Sequence, residues 1–181
     1  MIFVDTPIVG VVLIEADPRT DERGAFVRTF AASAFAVAGL CPQVLECSIS
    51  TNRLAGTLRG LHLQRPPYAE AKLVRCTRGR IWDVAVDLRR GSPSLGRWFG
   101  TELSASSLQS VYIPEGCAHG FVTLEDDSDV LYQMSAPHRP DAAAGVRWDD
   151  PTFGITWPRI PHLINNRDAE YPDFDPARDL V

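Results

Sequence analysis

The sequence predicts an all-β protein, a β-sandwich or jelly roll, and three features of its pattern support this class. Short apolar segments recur through most of the chain, and turns such as Thr77–Gly79 and Arg90–Pro93 separate them. Helical segments do not alternate with these strands, as they would in a parallel α/β protein. One convincing helix is expected near the N-terminus, at Ala31–Leu40, where Gly39 and then Pro42 would end it.

The predicted elements follow one another in a simple order. Before the helix, Ile8–Glu15 and Ala25–Phe30 are expected to be strands on either side of a polar turn at Asp17–Gly24. After it, further strands are expected at Val44–Ser50, Thr57–Gln64, Ala71–Cys76, Arg80–Leu88, Arg97–Leu103, Ser110–Ile113, Gly120–Leu124, Val130–Ser135 and Val146–Asp149. The final stretch, Thr156–Val181, is rich in proline and predicts an extended segment that wraps across the body.

Length and composition narrow the range of functions. The 181 residues fit a single domain, 1–181, and apolar runs such as Ile8–Ile14 are too short to cross a bilayer. Met1–Asp5 lacks the basic region and apolar core of a secretory signal, so a cytoplasmic location is expected. The net charge of -5 argues against general nucleic-acid binding, although it allows a local basic pocket for one phosphorylated ligand.

The four cysteines give no sign of a metal site. Cys41, Cys47, Cys76 and Cys117 lack the close paired spacing of zinc ligands. In a cytoplasmic chain they should stay reduced. We therefore expect them to be small buried apolar residues.

The segment Leu58–Gln64 is the first candidate for a functional site. A central apolar strand rarely carries both an arginine and a histidine unless they face something polar, because burying either without a partner costs several kcal/mol. Ideal alternation would place Arg59 on one face and His62 with Gln64 on the other. Gly60 lies between them, and a glycine inside a strand often marks a bulge that re-aims its neighbours. A core histidine and an edge arginine are the alternative interpretation.

Two further strands carry charged residues whose surroundings the pattern leaves open. In Ile81–Leu88 the alternation places Asp83 and Asp87 on one face. For Asp87, near a turn, we expect a solvated face, whereas Asp83 could be solvated or could partner a buried histidine or arginine. Lys72 shares a face with Val74 and either lies at an edge or points into a cavity.

The stretch Ile113–Gly120 resembles the second cupin signature, Pro-x-Gly-x-x-His, in which a tight turn leads a histidine into the barrel. In metal-binding cupins the first signature supplies a His-x-His pair and a glutamate. Here the first signature offers His62 followed by Leu63 and Gln64. The sequence therefore argues against a metal site.

The chain as a whole resembles the dTDP-4-dehydrorhamnose 3,5-epimerase family. The motifs that carry the resemblance run in register along nearly the whole chain: Arg23-Gly24, Thr57 to Gln64, Lys72 to Cys76, Trp82 to Arg89, Ser92-Pro93, Leu103 to Ala105, Ile113 to Phe121, Leu131-Tyr132, Trp148 to Pro151, Gly154 to Pro158 and Arg167-Asp168. The resemblance implies an RmlC-like cupin jelly roll that is a homodimer, needs no metal or other cofactor, and acts on a dTDP-linked 4-keto-6-deoxyhexose.

Residue roles follow from the same resemblance. It makes His62 the general base, Asp168 its carboxylate partner, Tyr132 the acid on the opposite side and Lys72 the group that stabilises the enolate oxygen. Residues implied to line the sugar pocket are Arg59, Asp83 and His119, and those implied to bind the nucleotide phosphates are Arg23 and Arg167. His138 stands where the family commonly has a tyrosine that stacks on thymine, and its ring could still stack.

The chemistry of these residue types agrees with the assignment. A proton next to a ketone is far less acidic than imidazolium, and each pKa unit of mismatch costs about 1.4 kcal/mol. A fixed cation at the enolate oxygen would offset roughly 3 to 4 kcal/mol of that cost. Inversion also needs removal of the proton on one face and delivery on the other, so two different groups on facing strands are expected.

Departures from the family pattern widen the choice of activity. Arg28 replaces a common glutamate, Leu63 a common tyrosine and Ala144 a common arginine. These changes leave room for an epimerase that acts at one carbon only, C3 or C5, in natural-product biosynthesis. A metal-dependent cupin enzyme and a non-catalytic sugar-nucleotide binder are the remaining candidates.

Overall fold

The computed structural model describes residues 1–181 and contains thirteen strands and three short helices. The strands are β1 (Ile2–Asp5), β2 (Val12–Glu15), β3 (Arg19–Asp21), β4 (Gly24–Phe26), β5 (Glu46–Asn52), β6 (Leu58–Gln64), β7 (Lys72–Arg78), β8 (Arg80–Asp87), β9 (Trp98–Ser104), β10 (Ser110–Ile113), β11 (Cys117–Thr123), β12 (Ser128–Met134) and β13 (Ala143–Gly145). The helices are α1 (Ala32–Val37), α2 (Asn166–Ala169) and α3 (Pro176–Asp179).

The strands form two antiparallel sheets and one separate hairpin. The six-stranded sheet has the order β1-β2-β10-β7-β12-β5, and the five-stranded sheet has the order β13-β6-β11-β8-β9. Strands β3 and β4 pair only with each other. This architecture is an all-β jelly roll, and it confirms the fold class predicted from the spacing of short strands.

The core lies between the two sheets. Alternate residues of neighbouring strands point into it, among them Val74 of β7, Ile81 of β8, Phe121 of β11 and Val130 of β12, and none of the four is exposed. Chain reversal at Gly79, where φ is +71°, carries the chain from the six-stranded sheet to the five-stranded one. The apolar inner faces of the two sheets thereby pack against each other.

A second apolar layer covers the outer face of the five-stranded sheet. Phe153, together with Trp157 and Phe174 of the C-terminal segment, packs in one cluster with Val84 and Val86 of β8. Strand β8 is therefore buried on both faces. The expected wrap of the C-terminal segment is confirmed, and its last residue, Val181, hydrogen-bonds to the backbone of Leu88 and Arg90.

The expectation of a single helix is wrong, because two further one-turn helices interrupt the C-terminal segment. Helix α2 begins after Asn165, whose side chain accepts a hydrogen bond from the Asp168 N–H. Helix α3 begins after Asp175, and Pro176 occupies its first turn, where proline is well tolerated. Both starts follow from capping residues inside a stretch that its prolines alone would make extended.

Several strand predictions also differ from the structure. Strand β3 lies inside the expected turn at Asp17–Gly24, and the strand expected at Ala25–Phe30 is the shorter β4, because β3 and β4 pair with each other as a small hairpin. Strand β1 is not among the expected strands, and the strand predicted from Ile8 begins only at β2, because Gly10 adopts a φ of +79° and turns the chain. The last strand of the five-stranded sheet is β13 rather than Val146–Asp149, although Val146 still exchanges backbone hydrogen bonds with Leu61.

The expectation that Asp87 lies on a solvated face of β8 is wrong. Its carboxylate is fully buried and accepts hydrogen bonds from the Arg89 guanidinium and backbone and from the hydroxyls of Ser92 and Ser94. Burial acts to raise the pKa of Asp87, but these hydrogen bonds outweigh it and lower the pKa to about 2. Asp87 therefore ties the turn after β8 to the end of the strand.

The structure also tests the expected burial of the cysteines and shows the length and character of the helices. All four cysteines are free thiols, and Cys76 and Cys117 are buried as expected. Cys41 is half-buried, and Cys47 is exposed because it lies on the edge strand β5, so the expectation of burial is wrong for Cys47 and only partly correct for Cys41. None of the three helices has the length and apolar character that a bilayer crossing requires.

Candidate active site

A cavity of about 480 Å³ opens between the two sheets. Both sheets and helix α2 contribute to its wall, and most of the residues in the wall are polar or charged. Its lining residues are Ser48, Ser50, Arg59, His62, Leu63, Gln64, Glu70, Lys72, His119, Tyr132, Met134, Ala136, His138, Ala143, Asn165, Arg167 and Asp168.

Strand β6 delivers two of the polar groups through a bulge at Gly60. The register between β6 and β11 shifts between His119 and Phe121, opposite Gly60, whose φ is +125°. A Cβ at this position would lie 2.5 Å from the Gly120 Cα, so only glycine allows the strands to approach so closely. The bulge brings Arg59 and His62 to the same cavity, although ideal alternation would place them on opposite faces.

His62 is held by a buried carboxylate. Its Nε2 lies 2.7 Å from Asp168 Oδ1, and the Asp168 side chain has no exposed surface. The His62 ring is 40% exposed toward the cavity. Because Asp168 can only accept, it selects the tautomer with hydrogen on Nε2 and leaves Nδ1 as the basic nitrogen.

Asp168 is itself fixed by several contacts. Its Oδ2 accepts the Gly60 N–H at 3.0 Å, and its own N–H donates to the side chain of Asn165 at 2.7 Å. Burial acts to raise the pKa of Asp168, but the hydrogen bonds from His62 and Gly60 and the nearby charge of Arg167 outweigh it and lower the pKa. The carboxylate therefore stays ionised beside the imidazole.

A second histidine–carboxylate pair lies on the neighbouring strands. His119 of β11 is the cross-strand partner of His62, and its Nε2 lies 2.7 Å from Asp83 Oδ1 of β8. Asp83 is 2% exposed and lies behind His119 rather than in the cavity wall. The structure therefore makes Asp83 the partner of a buried histidine, and it contacts the cavity only through His119.

Tyr132 enters the cavity from the opposite sheet. It lies on β12, and its ring packs edge-on against His119 with the ring centroids 5.7 Å apart. Burial, with an added effect from the negative charge of Asp83, raises the pKa of the Tyr132 hydroxyl well above its usual value. The phenol is therefore protonated at neutral pH and faces the cavity as a donor.

Lys72 lies on the same sheet as Tyr132 and is buried. Its Nζ donates to the carbonyl oxygen of His62 at 3.0 Å and lies 2.9 Å from Glu70 Oε1. Lys72 therefore points into the cavity and not to an edge. The ammonium has one further N–H for a ligand.

Three cationic or aromatic residues lie toward the mouth of the cavity. Arg59 Nε donates to the buried side chain of Asn52 at 2.8 Å, which fixes the guanidinium direction. Arg167 Nε donates to the hydroxyl of Tyr171 at 3.1 Å. His138 is exposed at the rim.

Arg23 does not reach this cavity. It lies in the β3–β4 hairpin, is 85% exposed, and pairs with Asp21 of the same hairpin at 2.6 Å. Of the residues that the sequence indicated, the structure places eight in the cavity wall, with Asp83 directly behind it and Arg23 elsewhere: His62, Tyr132, Asp168, Lys72, Arg59, His119, His138 and Arg167.

Several residues of the site were not predicted. Glu70 could have been found because it precedes Lys72 by two positions, which places both on one face of an extended chain. Asn165 has the sequence signal of a capping residue three positions before Asp168. Asn52 had no such signal, since its contact with Arg59 depends on how β5 and β6 are placed.

The arrangement can support proton transfer to and from both faces of a bound molecule. It offers a basic nitrogen on the five-stranded sheet, a protonated phenol on the six-stranded sheet, and an ammonium that can bind a developing negative charge. No group of three or more histidine, cysteine or carboxylate side chains is positioned to hold a metal ion.

Comparison with known proteins agrees with this geometry. The family profile described as dTDP-4-dehydrorhamnose 3,5-epimerase matches residues 5–176. A protein of that name from Sinorhizobium fredii is 39% identical over 175 residues, which is 96% of this chain and 90% of the relative.

Solved structures superpose over almost the whole chain. A dTDP-4-dehydrorhamnose 3,5-epimerase from Elizabethkingia anophelis has a TM-score of 0.93 at 35% identity, covering 99% of this chain and 98% of that one. A 4-keto-6-deoxy sugar epimerase from the novobiocin biosynthetic gene cluster of Streptomyces spheroides has a TM-score of 0.90 at 36% identity, covering 96% and 87%. With both its sequence and its fold matching over almost the whole chain, the chain belongs to the dTDP-4-dehydrorhamnose 3,5-epimerase family.

Proposed function

We propose that this protein converts dTDP-4-dehydro-6-deoxyglucose to dTDP-4-dehydrorhamnose by removing and returning protons at C3 and C5. The observation that carries the proposal is the placement of His62 and Tyr132 on opposite sheets in the wall of one cavity. Epimerisation needs a base on one face of the sugar and an acid on the other. The geometry supplies one of each.

His62 acts as the general base. Nδ1 takes the proton from the carbon next to the ketone, and the buried carboxylate of Asp168 stabilises the imidazolium that forms. The hydrogen bond from the Gly60 N–H to Asp168 fixes this carboxylate, so the ring does not have to reorient during the reaction.

Lys72 binds the enolate oxygen. Its ammonium is held by the His62 carbonyl and by Glu70, so its remaining N–H is directed before the substrate arrives. A fixed donor of this kind contributes roughly 3 to 4 kcal/mol to stabilisation of a developing oxyanion. The same carbonyl at C4 acidifies both C3 and C5, so one cation serves both steps.

Tyr132 delivers its own proton from the other side, and exchange with water then removes the proton from His62 and reprotonates Tyr132 before the next transfer. Its raised pKa keeps it protonated, and delivery to the face opposite His62 inverts the carbon. A proton returned by His62 would only restore the starting configuration.

Substrate binding is assigned to the remaining residues of the cavity. His119, held by Asp83, and Arg59 contact the sugar, Arg167 contacts the diphosphate, and His138 stacks on the base. Arg23 reaches the diphosphate only if a second copy of the chain brings its β3–β4 hairpin to the cavity, so the proposal includes a homodimer. It also includes a single domain over 1–181, catalysis without a cofactor, and a cytoplasmic location.

Incubation with the 4-keto sugar nucleotide in deuterated water tests the reaction. We expect deuterium at both C3 and C5, seen by NMR, together with formation of the 4-dehydrorhamnose product. A folded protein that binds dTDP but incorporates no deuterium would be a binder and would contradict the proposal. Activity that depends on near-stoichiometric metal, shown by elemental analysis and chelation, would favour a metal-dependent cupin.

A second candidate is an epimerase that acts at one carbon. The match to a 3'-monoepimerase from Streptomyces bikiniensis favours it, with a TM-score of 0.85 at 33% identity over 92% of this chain and 84% of that one. The changes from the family pattern at Leu63, Ala144 and His138 favour it as well. Deuterium at C3 alone or C5 alone in the same experiment would select this variant.

A further inference from the structure

The carboxylate of Glu70 has one oxygen that the proposed mechanism does not use. The side chain is only 6% exposed and lies in the cavity wall, and its Oε1 accepts from Lys72 Nζ at 2.9 Å. Its second oxygen, Oε2, is buried and has no hydrogen-bond partner. An unpartnered carboxylate oxygen is costly to bury, so a donor from a ligand would stabilise this site.

Glu70 and Lys72 together present a specific hydrogen-bonding pattern. Lys72 has three N–H groups, and the His62 carbonyl and Glu70 Oε1 take two of them. One donor, the third N–H, therefore lies next to one acceptor, Glu70 Oε2. This pair is complementary to a carbonyl oxygen that has a hydroxyl on the adjacent carbon.

We propose that Glu70 Oε2 accepts the hydroxyl next to the carbonyl that Lys72 binds. This inference rests on the proposed function, which places the C4 oxygen of the sugar at Lys72. In a 4-keto-6-deoxyhexose, C5 carries the ring oxygen and a methyl group, so the only neighbouring hydroxyl is on C3. Glu70 is then a specificity-determining residue that selects sugars with a free C3 hydroxyl.

A binding cycle with two unreactive ligands tests the contact. The ligands are dTDP-6-deoxyglucose and its 3-deoxy counterpart, neither of which has a ketone, and affinity is measured by calorimetry. In the wild-type protein, loss of the C3 hydroxyl should weaken binding roughly 10-fold or more, as expected for a hydrogen bond to a charged group. Glu70→Met is similar in size but lacks the carboxylate acceptor. In this variant, loss of the C3 hydroxyl should weaken binding by less than about 2-fold.

The ratio of the two affinities separates this contact from a structural role. If Glu70→Met acted only by releasing Lys72, binding of both ligands would weaken to the same extent, and the ratio of their affinities would equal that of the wild type. Glu70→Gln keeps an oxygen for Lys72 and should give an intermediate ratio of a few-fold, since a neutral amide replaces Oε2. The exposed Glu115→Gln change removes one negative charge outside the cavity and should leave the wild-type ratio.

Each outcome decides the assignment. A ratio in Glu70→Met equal to that of the wild type, or no preference for the hydroxyl in the wild type, would overturn it. Failure of the wild-type protein to exchange deuterium into the 4-keto sugar would instead contradict the proposed function. Equal affinity for dTDP alone in wild type and variants shows that the fold of the cavity is retained.

Discussion

The imidazole of His62 and the carboxylate of Asp168 are joined by a hydrogen bond of 2.7 Å although the two residues are 106 positions apart in the chain. Strand β6 carries the first and the one-turn helix α2 the second. The C-terminal segment therefore does more than cover the sheet. It completes the base of the proposed active site.

The first prediction concerns this pair. Asp168→Asn keeps the size of the side chain but removes the charge that favours the Nε2–H tautomer and stabilises imidazolium. We expect deuterium exchange to fall by roughly 10²- to 10⁴-fold, by analogy with loss of the carboxylate in hydrolase triads. Affinity for dTDP should not change. The control is Asp173→Asn at an exposed position, which should keep the wild-type exchange rate. An unchanged exchange rate in Asp168→Asn would rule out the role of Asp168 as the partner of His62.

The second prediction concerns the bulge at Gly60. Gly60 and Gly24 have similar φ values of +125° and +127°, but an added Cβ meets the Gly120 backbone at Gly60 and nothing within 4 Å at Gly24. Both alanine variants carry backbone strain, whereas only Gly60→Ala also forces two strands apart. We expect Gly60→Ala to lower the free energy of unfolding by about 2 kcal/mol more than Gly24→Ala. Urea denaturation measures this difference, and equal losses would contradict the steric argument.

The third prediction concerns acid stability. The pKa of Asp87 falls from 3.8 to about 2 on folding, so its contribution is fully present above about pH 4 and is lost as the pH falls toward 2. The shift corresponds to about 2 kcal/mol. Asp87→Asn should lower stability at pH 6 and flatten its dependence on pH between about 4 and 2. Denaturation across this pH range tests it, and an unchanged slope would assign the acid sensitivity to different groups.

Local pattern was sufficient to predict most of the fold. Period-two alternation and turn residues located the strands of both sheets, and the glycine in β6 indicated the bulge. Asp87 shows where this reasoning fails. Alternation along β8 indicates two faces, but it does not reveal that the C-terminal segment covers one of them and the opposite sheet the second, which leaves no solvated face.

Local sequence pattern predicted less of the active site than of the fold. A histidine in the apolar strand β6 can be recognised as unusual from the sequence. Its partner Asp168 lies in a distant segment, however, and only the family resemblance linked the two. The same resemblance indicated Arg23, which lies outside the cavity of this chain. Placement of a side chain across two sheets depends on tertiary packing, which periodicity does not encode.

The last prediction separates the two proton transfers. Tyr132→Phe removes the phenolic hydroxyl, whose raised pKa makes it a donor throughout the neutral range, but leaves His62 and Asp168 in place. His62 can then remove a proton and return deuterium to the same face, so exchange should continue while the inverted product falls by roughly 10²-fold or more. NMR of the sugar in deuterated water measures both. Tyr171→Phe, whose ring lies 6.4 Å from that of His62, should keep the wild-type ratio of inversion to exchange. Loss of exchange together with inversion in Tyr132→Phe would instead place Tyr132 in the proton-removal step.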